Sequence, residues 1–194
     1  MNKRLVVGLT GSFGSGKTTV SKMLKKLGAR KIINADKLAR EAFKQNKCLK
    51  KIKSLFQTMD RKQIAREVFS NPAKRKALEK VIHPYVRQRI MAELKKVKSG
   101  IVILEVPLLF ESKFDRMCDA TITVSAGRSN INRLMRSGFS RDEINSRLNA
   151  QLSESAKMKK ADFIINNKGS KQLLKKKTKL VWQKLLLKTP LWRR

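Results

Sequence analysis

A glycine-rich turn between a short apolar strand and a helix constrains this chain more than any other feature. Residues 4–18 read Arg-Leu-Val-Val-Gly-Leu-Thr-Gly-Ser-Phe-Gly-Ser-Gly-Lys-Thr. The apolar run Leu5–Leu9 leads into Gly11-x4-Gly16-Lys17-Thr18, the spacing of a phosphate-cradling P-loop. A triphosphate demands many donors in a small volume. Glycine enters positive-φ conformations at little steric cost, so a turn over Gly11, Ser12, Phe13, Gly14, Ser15 and Gly16 can aim successive N–H groups at one anion. The helix that follows adds its unpaired N-terminal amides and its dipole. Lys17 is expected to meet the β- and γ-phosphates, Thr18 to ligate Mg²⁺ through its hydroxyl, and Thr19 to complete the ATP-binding run. An apolar stripe of Val20, Met23, Leu24 and Leu27 recurs at helical spacing, as this context requires. Lys3 and Arg4 ahead of an apolar stretch have the look of a secretory leader. Five apolar positions are too few for one, and Lys17 follows closely.

At 194 residues the chain is long enough for one domain with a substantial core. No apolar run approaches the ~20 residues of a membrane span. Cys48 and Cys118 are far apart and form no CxxC, which fits a reducing cytoplasm and indicates neither a disulfide framework nor a zinc site. The charge is extreme: 47 Lys+Arg stand against 14 Asp+Glu, a formal +33. Such a balance favours anionic partners. A dedicated nucleic-acid surface wants its cations clustered and interleaved with aromatics. Here lysines run along the whole chain and aromatics make up only 6%. The charge therefore reads as general lysine enrichment with attraction for nucleotides, and with non-specific nucleic-acid binding at low salt. No obligate protein partner is evident.

Strand-like and helix-like segments alternate, the mark of an α/β fold. Strands are expected at Leu5–Leu9, Lys31–Ile33, Ile101–Val106, Asp119–Val124 and Ala161–Ile165. Helices are expected over Thr19–Leu27, over most of 37–96 with breaks at Asn71-Pro72 and His83-Pro84, at Ile131–Met135 and Arg141–Leu152, and over 171–187. Five strands with helical crossovers imply a parallel sheet covered on both faces. The lysine-rich stretch Lys171–Arg194 carries an apolar face of leucines, Val181 and Trp182, better suited to docking on a core than to a membrane surface.

Later segments narrow the reading. They are Ile33-Asn34-Ala35-Asp36-Lys37-Leu38-Ala39-Arg40, Val68-Phe69-Ser70-Asn71-Pro72, His83-Pro84, Glu105-Val106-Pro107-Leu108-Leu109-Phe110-Glu111 and Ala161–Gly169. In this order, from residue 5 to about 175, they resemble the dephospho-CoA kinases, P-loop kinases of the nucleoside-monophosphate-kinase-like class. The resemblance implies a three-layer α/β fold with a five-stranded parallel sheet. It divides the single domain into a core of about 1–36, 99–127 and 155–190, a helical CoA-binding region of about 37–98, and a small lid of about 128–154. It implies transfer of the γ-phosphoryl group of ATP, with Mg²⁺, to the ribose 3′-hydroxyl of dephospho-CoA.

The resemblance also assigns roles. Asp36, just past the second strand, becomes the base for the attacking hydroxyl; helix capping is its plainer role, since Asp is a favoured N-cap. The family has Asp-x-Asp here, and this chain has Asn34 in the first place. Glu105 ends the most apolar strand, in the Walker-B position where an acid couples to Mg²⁺ and the family usually carries Asp; a hydrogen bond to the P-loop is the structural alternative. Arg136 matches the catalytic lid arginine, with Arg133 as its rival. Arg66, His83, Arg87, Pro107 and Leu108 fall where the acceptor binds, although the apolar Pro107–Leu109 run suits plain core equally well. Asn167 and Gly169 follow the last strand, where a loop can read adenine. The segment between Phe56 and Asp60 is shorter than the family pattern. Two other readings compete: a nucleoside monophosphate kinase, and a basic nucleic-acid-binding protein using its P-loop as a switch.

Overall fold

The computed structural model describes residues 4–127 and 129–188. In chain order the elements are β1 (Arg4–Gly11), α1 (Lys17–Lys26), β2 (Lys31–Asn34), α2 (Ala35–Ala42), α3 (Asn46–Phe56), α4 (Arg61–Ser70), α5 (Pro72–Lys95), β3 (Gly100–Glu105), β4 (Ala120–Ser125), α6 (Ser129–Arg136), α7 (Arg141–Asn149), α8 (Glu154–Lys160), β5 (Phe163–Asn166) and α9 (Lys171–Lys188), with a 3₁₀ turn at Phe114–Met117. The last six residues of the expected basic tail lie outside the described residues.

The strands form one five-stranded sheet in the order β2-β3-β1-β4-β5. β1 runs parallel to β3, with Val7 opposite Ile103, and parallel to β4, with Val7 opposite Ala120. β4 and β5 are also parallel. Parallel strands are covered on both faces and so read as continuous apolar runs rather than alternations. This is why Leu5–Gly11 and Ile101–Glu105 are buried throughout. Leu9, Val20, Leu24, Ile103, Ile122 and Ile165 form the centre of the core. Helix α9 lies against α1 and β5, inserting Leu174, Val181, Trp182 and Leu185. Its apolar face is therefore spent on the core.

The chain divides into two compact units. The first holds the sheet, with the described residues up to Ile33 and from Leu94 onward. The second is Asn34–Glu93, four helices around Leu38, Ala42, Ile52, Phe56, Ile64, Ile82, Val86 and Ile90. In this second unit the Arg61 guanidinium lies 5.1 Å from the Phe43 ring centroid, and Arg89 pairs with Glu41 at 3.6 Å.

The expected break at His83-Pro84 does not occur. Helix α5 runs through it, with Pro84 inside. An internal proline forfeits a backbone hydrogen bond and costs about 3 kcal/mol. Ile82, Val86 and Ile90, four residues apart and all buried, offset that cost. The break expected at Asn71-Pro72 is present, with Asn71 as the extended C-cap of α4 and Pro72 opening α5, and further interruptions lie at Phe43–Gln45 and Gln57–Asp60. Gln57 takes a left-handed conformation (φ 56°) to end α3, and the Asp60 carboxylate accepts from Lys62 N to start α4. Neither site carries glycine or proline as a marker. Helix α8, absent from the sequence reading, starts at a Ser153 cap. The last strand begins at Phe163 rather than Ala161, because Asp162 Oδ2 accepts from Thr121 N and Thr121 Oγ1, both at 2.8 Å.

The docking of α9 is testable. Leu185 is fully buried, and truncating a buried leucine costs about 2–5 kcal/mol. Urea unfolding of Leu185→Ala is expected to show a loss in that range with an unchanged m-value; a loss below about 1 kcal/mol would mean that α9 does not close the core.

Candidate active site

Strand β1 ends in the glycine turn. Gly11, Gly14 and Gly16 have φ of 150°, 69° and 95°, a region in which a side chain is strained. Space is short as well as conformation. A Cβ on Gly11 would collide with the Val124 carbonyl, and one on Gly16 with the Asn167 side-chain amide. Gly16 is the N-cap of α1 and offers no side-chain cap, and no acid stands in the first turn. The first amides of α1 are thus left for an anion. Lys17 Nζ donates to Gly11 O and Ser12 O, both at 2.9 Å, which holds its ammonium over the turn. Ser15 Oγ is buried within the turn and has no hydrogen-bond partner.

Thr18 and Glu105 meet. Thr18 Oγ1 donates to Glu105 Oε1 at 2.9 Å, across 87 positions of sequence. Glu105 is the last residue of β3 and is 5% exposed, and β3 is the neighbour of β1. The structural alternative for Glu105, a bond to the phosphate loop, is therefore present, and it lands on the very hydroxyl expected to take a metal. A hydroxyl at the start of α1 and a carboxylate at the carboxyl end of β3 are hard oxygen donors, and they fit Mg²⁺.

Helices α6 and α7 lie against the turn. Asn130 Nδ2 donates to Phe13 O, and Arg133 Nη2 donates to Gly14 O and, at 3.0 Å, to Asn130 Oδ1. The Arg147 guanidinium sits 4.7 Å from the Phe13 ring and 5.2 Å from the Phe139 ring. The two rings meet edge to face at 5.2 Å, an arrangement in which each contact stabilises the next. Arg133 is thus engaged with the P-loop backbone, whereas Arg136, one turn further on, is exposed. A capping box between Ser140 and Glu143 starts α7.

The segments after β5 and β3 complete the first unit. Asn167 Nδ2 donates to Ser15 O at 2.8 Å, so its side chain latches the turn. Any reading of a base by this segment falls to its backbone, with Gly169 at φ 120°. After β3, Pro107 O accepts from Thr10 Oγ1 at 2.9 Å, Leu108 is partly buried, and Leu109 is fully buried against Gly8. Leu109 is core. Nearby, burial pushes the Cys118 thiol up to about 12, with Asp115 and Asp119 adding to the rise.

The remaining residues belong to the second unit. Asn34 is the N-cap of α2, with Oδ1 accepting from Lys37 N at 2.9 Å. Asp36 therefore does not cap; it sits exposed in the first turn. Arg66 and Arg87 are exposed on α4 and α5. His83 is half-buried, and burial holds its pKa below the usual value, with Glu79 opposing and Arg87 reinforcing.

Asn130, Phe139 and the stacked Arg147 had no reading as a clamp, because nothing in a run of polar residues distinguishes one that reaches back to residue 13.

Comparison with known proteins agrees with these features. The family model for dephospho-CoA kinase matches residues 5–172. A dephospho-CoA kinase of Thermus thermophilus is 39% identical over 189 residues, covering 93% of this chain and 92% of that protein. A solved Thermus thermophilus structure superimposes with a TM-score of 0.82 at 37% identity, over 95% of this chain and 99% of that one. The dephospho-CoA kinase of Campylobacter jejuni gives 0.65 at 31% identity, over 94% and 97%.

Two measurements check the geometry. Gly16→Ala must take a strained φ and displace Asn167, so its affinity for a nucleotide triphosphate is expected to fall about tenfold or more in a protein that still folds. Calorimetric titration with unchanged affinity would refute the turn as drawn. Cys118, with its thiol near 12, carries about one thiolate in 10⁴ at pH 8. Iodoacetamide is expected to leave it unlabelled in native protein and to label it fully in denaturant, as read by mass spectrometry.

Proposed function

The chain belongs to the dephospho-CoA kinase family, and on that premise we propose how its own residues share the reaction. The family activity is ATP-dependent phosphorylation of the ribose 3′-hydroxyl of dephospho-CoA, which gives coenzyme A. The chain is a P-loop kinase with a five-stranded parallel sheet. The nucleoside monophosphate kinase alternative is not favoured by the family match over residues 5–172.

The observation that carries the assignment of parts is the Thr18–Glu105 contact. It joins the end of the phosphate-binding turn to the acid that closes the neighbouring strand. In our reading the amides of Gly11–Gly16 and the Lys17 ammonium bind the β- and γ-phosphates, with Thr19 beside them. The orphaned Ser15 hydroxyl suits a phosphate oxygen, since a buried donor without a partner costs about 1–3 kcal/mol. Thr18 and Glu105 would hold Mg²⁺, Glu105 directly or through a water. The ion supplies neutralisation of phosphate charge when bound. Adenine lies against the backbone of the Asn167–Gly169 segment.

Asp36 takes the proton of the 3′-hydroxyl. The hydroxyl oxygen then bonds to the γ-phosphorus, the bond to the bridging oxygen breaks, and ADP leaves. The N-cap of α2 is Asn34, and Asp36 stands in the first turn. Arg136 neutralises charge on the transferring group; Arg133 is committed to Gly14 O. Residues 37–98, with Arg66, His83 and Arg87, form the acceptor region, and in the first unit Pro107 and Leu108 are assigned to acceptor binding by the family resemblance. Residues 128–154 form the lid, and the rest is core. A cytoplasmic setting suits a chain whose described residues include no helix long and apolar enough to cross a membrane and whose two cysteines are free. The +33 charge supports non-specific nucleic-acid binding at low salt and no sequence-selective binding.

The test uses purified protein, Mg²⁺ and ATP, with dephospho-CoA, AMP or CMP as acceptor. Wild type is expected to act on dephospho-CoA, and Lys17→Ala is expected to be inactive. Asp36→Asn is expected to lose about 10²–10⁴ in kcat with both KM values little changed. Turnover by Asp36→Asn at the wild-type rate would remove the base assignment. Turnover on AMP or CMP alone would remove the acceptor assignment.

A further inference from the structure

Lys157 is the anomaly of this chain. Among the described residues it is the lysine whose side chain is fully buried, at 0% exposure. Its Nζ donates to Pro107 O at 2.7 Å, Gln151 Oε1 at 3.1 Å and Glu111 Oε1 at 3.1 Å. These are three oxygen acceptors, and three N–H groups meet them, so the ammonium is saturated. Burial pulls the pKa of Lys157 down, and the charge and hydrogen bond of Glu111 hold it up.

The partners make a junction. Glu111 Oε1 also accepts from Leu152 N at 2.9 Å. Pro107 O also accepts from Thr10 Oγ1, the residue before Gly11. The carbonyl of Lys157 itself accepts from Thr123 Oγ1 at 3.1 Å, which pins α8 to β4. One ammonium therefore ties the segment after β3 to the linker between α7 and α8, within reach of the start of the phosphate loop. Stability is a poor reason for such a device. Buried ion pairs are often replaced by apolar residues at no loss. This one also leaves Glu111 Oε2 buried without a hydrogen-bond partner, a cost that an apolar packing would avoid. What an ionic cluster supplies, and an apolar one does not, is direction: each oxygen is held on a line from one nitrogen.

We propose that Lys157 is a positioning residue for phosphoryl transfer, locking the Pro107–Glu111 loop to the Gln151–Leu152 linker so that the acceptor loop and the base of the lid keep one arrangement. The proposal rests on the reading above that Pro107 and Leu108 face dephospho-CoA and that 128–154 is the lid.

The experiment measures steady-state kinetics and melting of full-length Lys157→Met and of the double variant Lys157→Met/Glu111→Leu, which removes both charges together. Misplacement of the loop is expected to raise the KM for dephospho-CoA about tenfold or more, with the KM for ATP within about twofold. The double variant is expected to melt like the wild type and still to show the raised acceptor KM. The proposal is overturned by an unchanged acceptor KM in either folded variant. It is equally overturned if the two KM values rise together with a fall in melting temperature, or if the double variant recovers acceptor KM and stability at once. Failure of the double variant to fold would make the cluster a stability element and also overturn it. Leu108→Ala leaves the cluster intact and separates the underlying reading. An unchanged acceptor KM there, beside a raised one in Lys157→Met, sinks the assignment of Leu108 to the acceptor rather than the role of Lys157.

Discussion

A backbone bent through left-handed conformations at Gly11, Gly14 and Gly16 makes few bonds to itself, Ser15 N to Ser12 O among them, and the first unit is arranged around that deficit. Three of its carbonyls are taken by side chains from distant segments, Ser15 O by Asn167, Gly14 O by Arg133 and Phe13 O by Asn130, while Gly11 O and Ser12 O are taken by the adjacent Lys17. The first amides of α1 are left for an anion. The division follows from chemistry. Asn and Arg side chains bring N–H donors to the carbonyls from outside, so the loop is held without using the amides that face an anion. The sheet order places β1, and with it this bend, at the centre. Loops from both neighbouring strands, and from β5 beyond, can then reach it.

The parts of this structure that were legible from sequence are those whose cause is local. The strand, turn and helix of residues 4–26 follow from apolar runs and glycine spacing. The five strands follow from apolar runs bounded by polar ones. In 37–96 the boundary at Asn71-Pro72 was legible from its proline, but those near Gln57 and Asp60 were not, because these residues end and start helices by conformation and capping with no glycine or proline to mark the place. Pro84 misled for the opposite reason: tertiary burial of Ile82, Val86 and Ile90 outweighed a local breaker. In the site, Thr18 and Glu105 could each be named from sequence, while their contact spans 87 positions. The stacked Arg147 and the buried Lys157 were hidden by abundance. With 47 cations in 194 residues, no single one stands out until burial or stacking selects it.

That abundance has a physical consequence of its own. Both substrates are polyanions, and a field from +33 charges draws them in without any contact being made. The effect is long-ranged and unspecific, and it fades with salt, since the Debye length is about 8 Å at physiological ionic strength. A few cations have lost their freedom to fixed contacts: Lys17 over the turn, Arg133 on Gly14, Arg147 against two rings, and Lys157 in the interior. Long-range attraction and fixed contacts are thus carried by different lysines and arginines of one chain. Helix α9 illustrates the first kind. Its lysines surround an apolar face that is used up on the core.

Two departures from the resembled pattern compensate in kind. Asn34 stands where that pattern has an acid, and it caps α2 through Lys37 N, a role that Asn fills as well as Asp does. Glu105 stands where a shorter acid is usual. Its extra methylene is accommodated because β3 brings its backbone only as far as the end of the strand, and the carboxylate then extends to Thr18 Oγ1 at 2.9 Å. A buried acid at the end of β3 thus meets a hydroxyl at the start of the helix that follows the neighbouring strand.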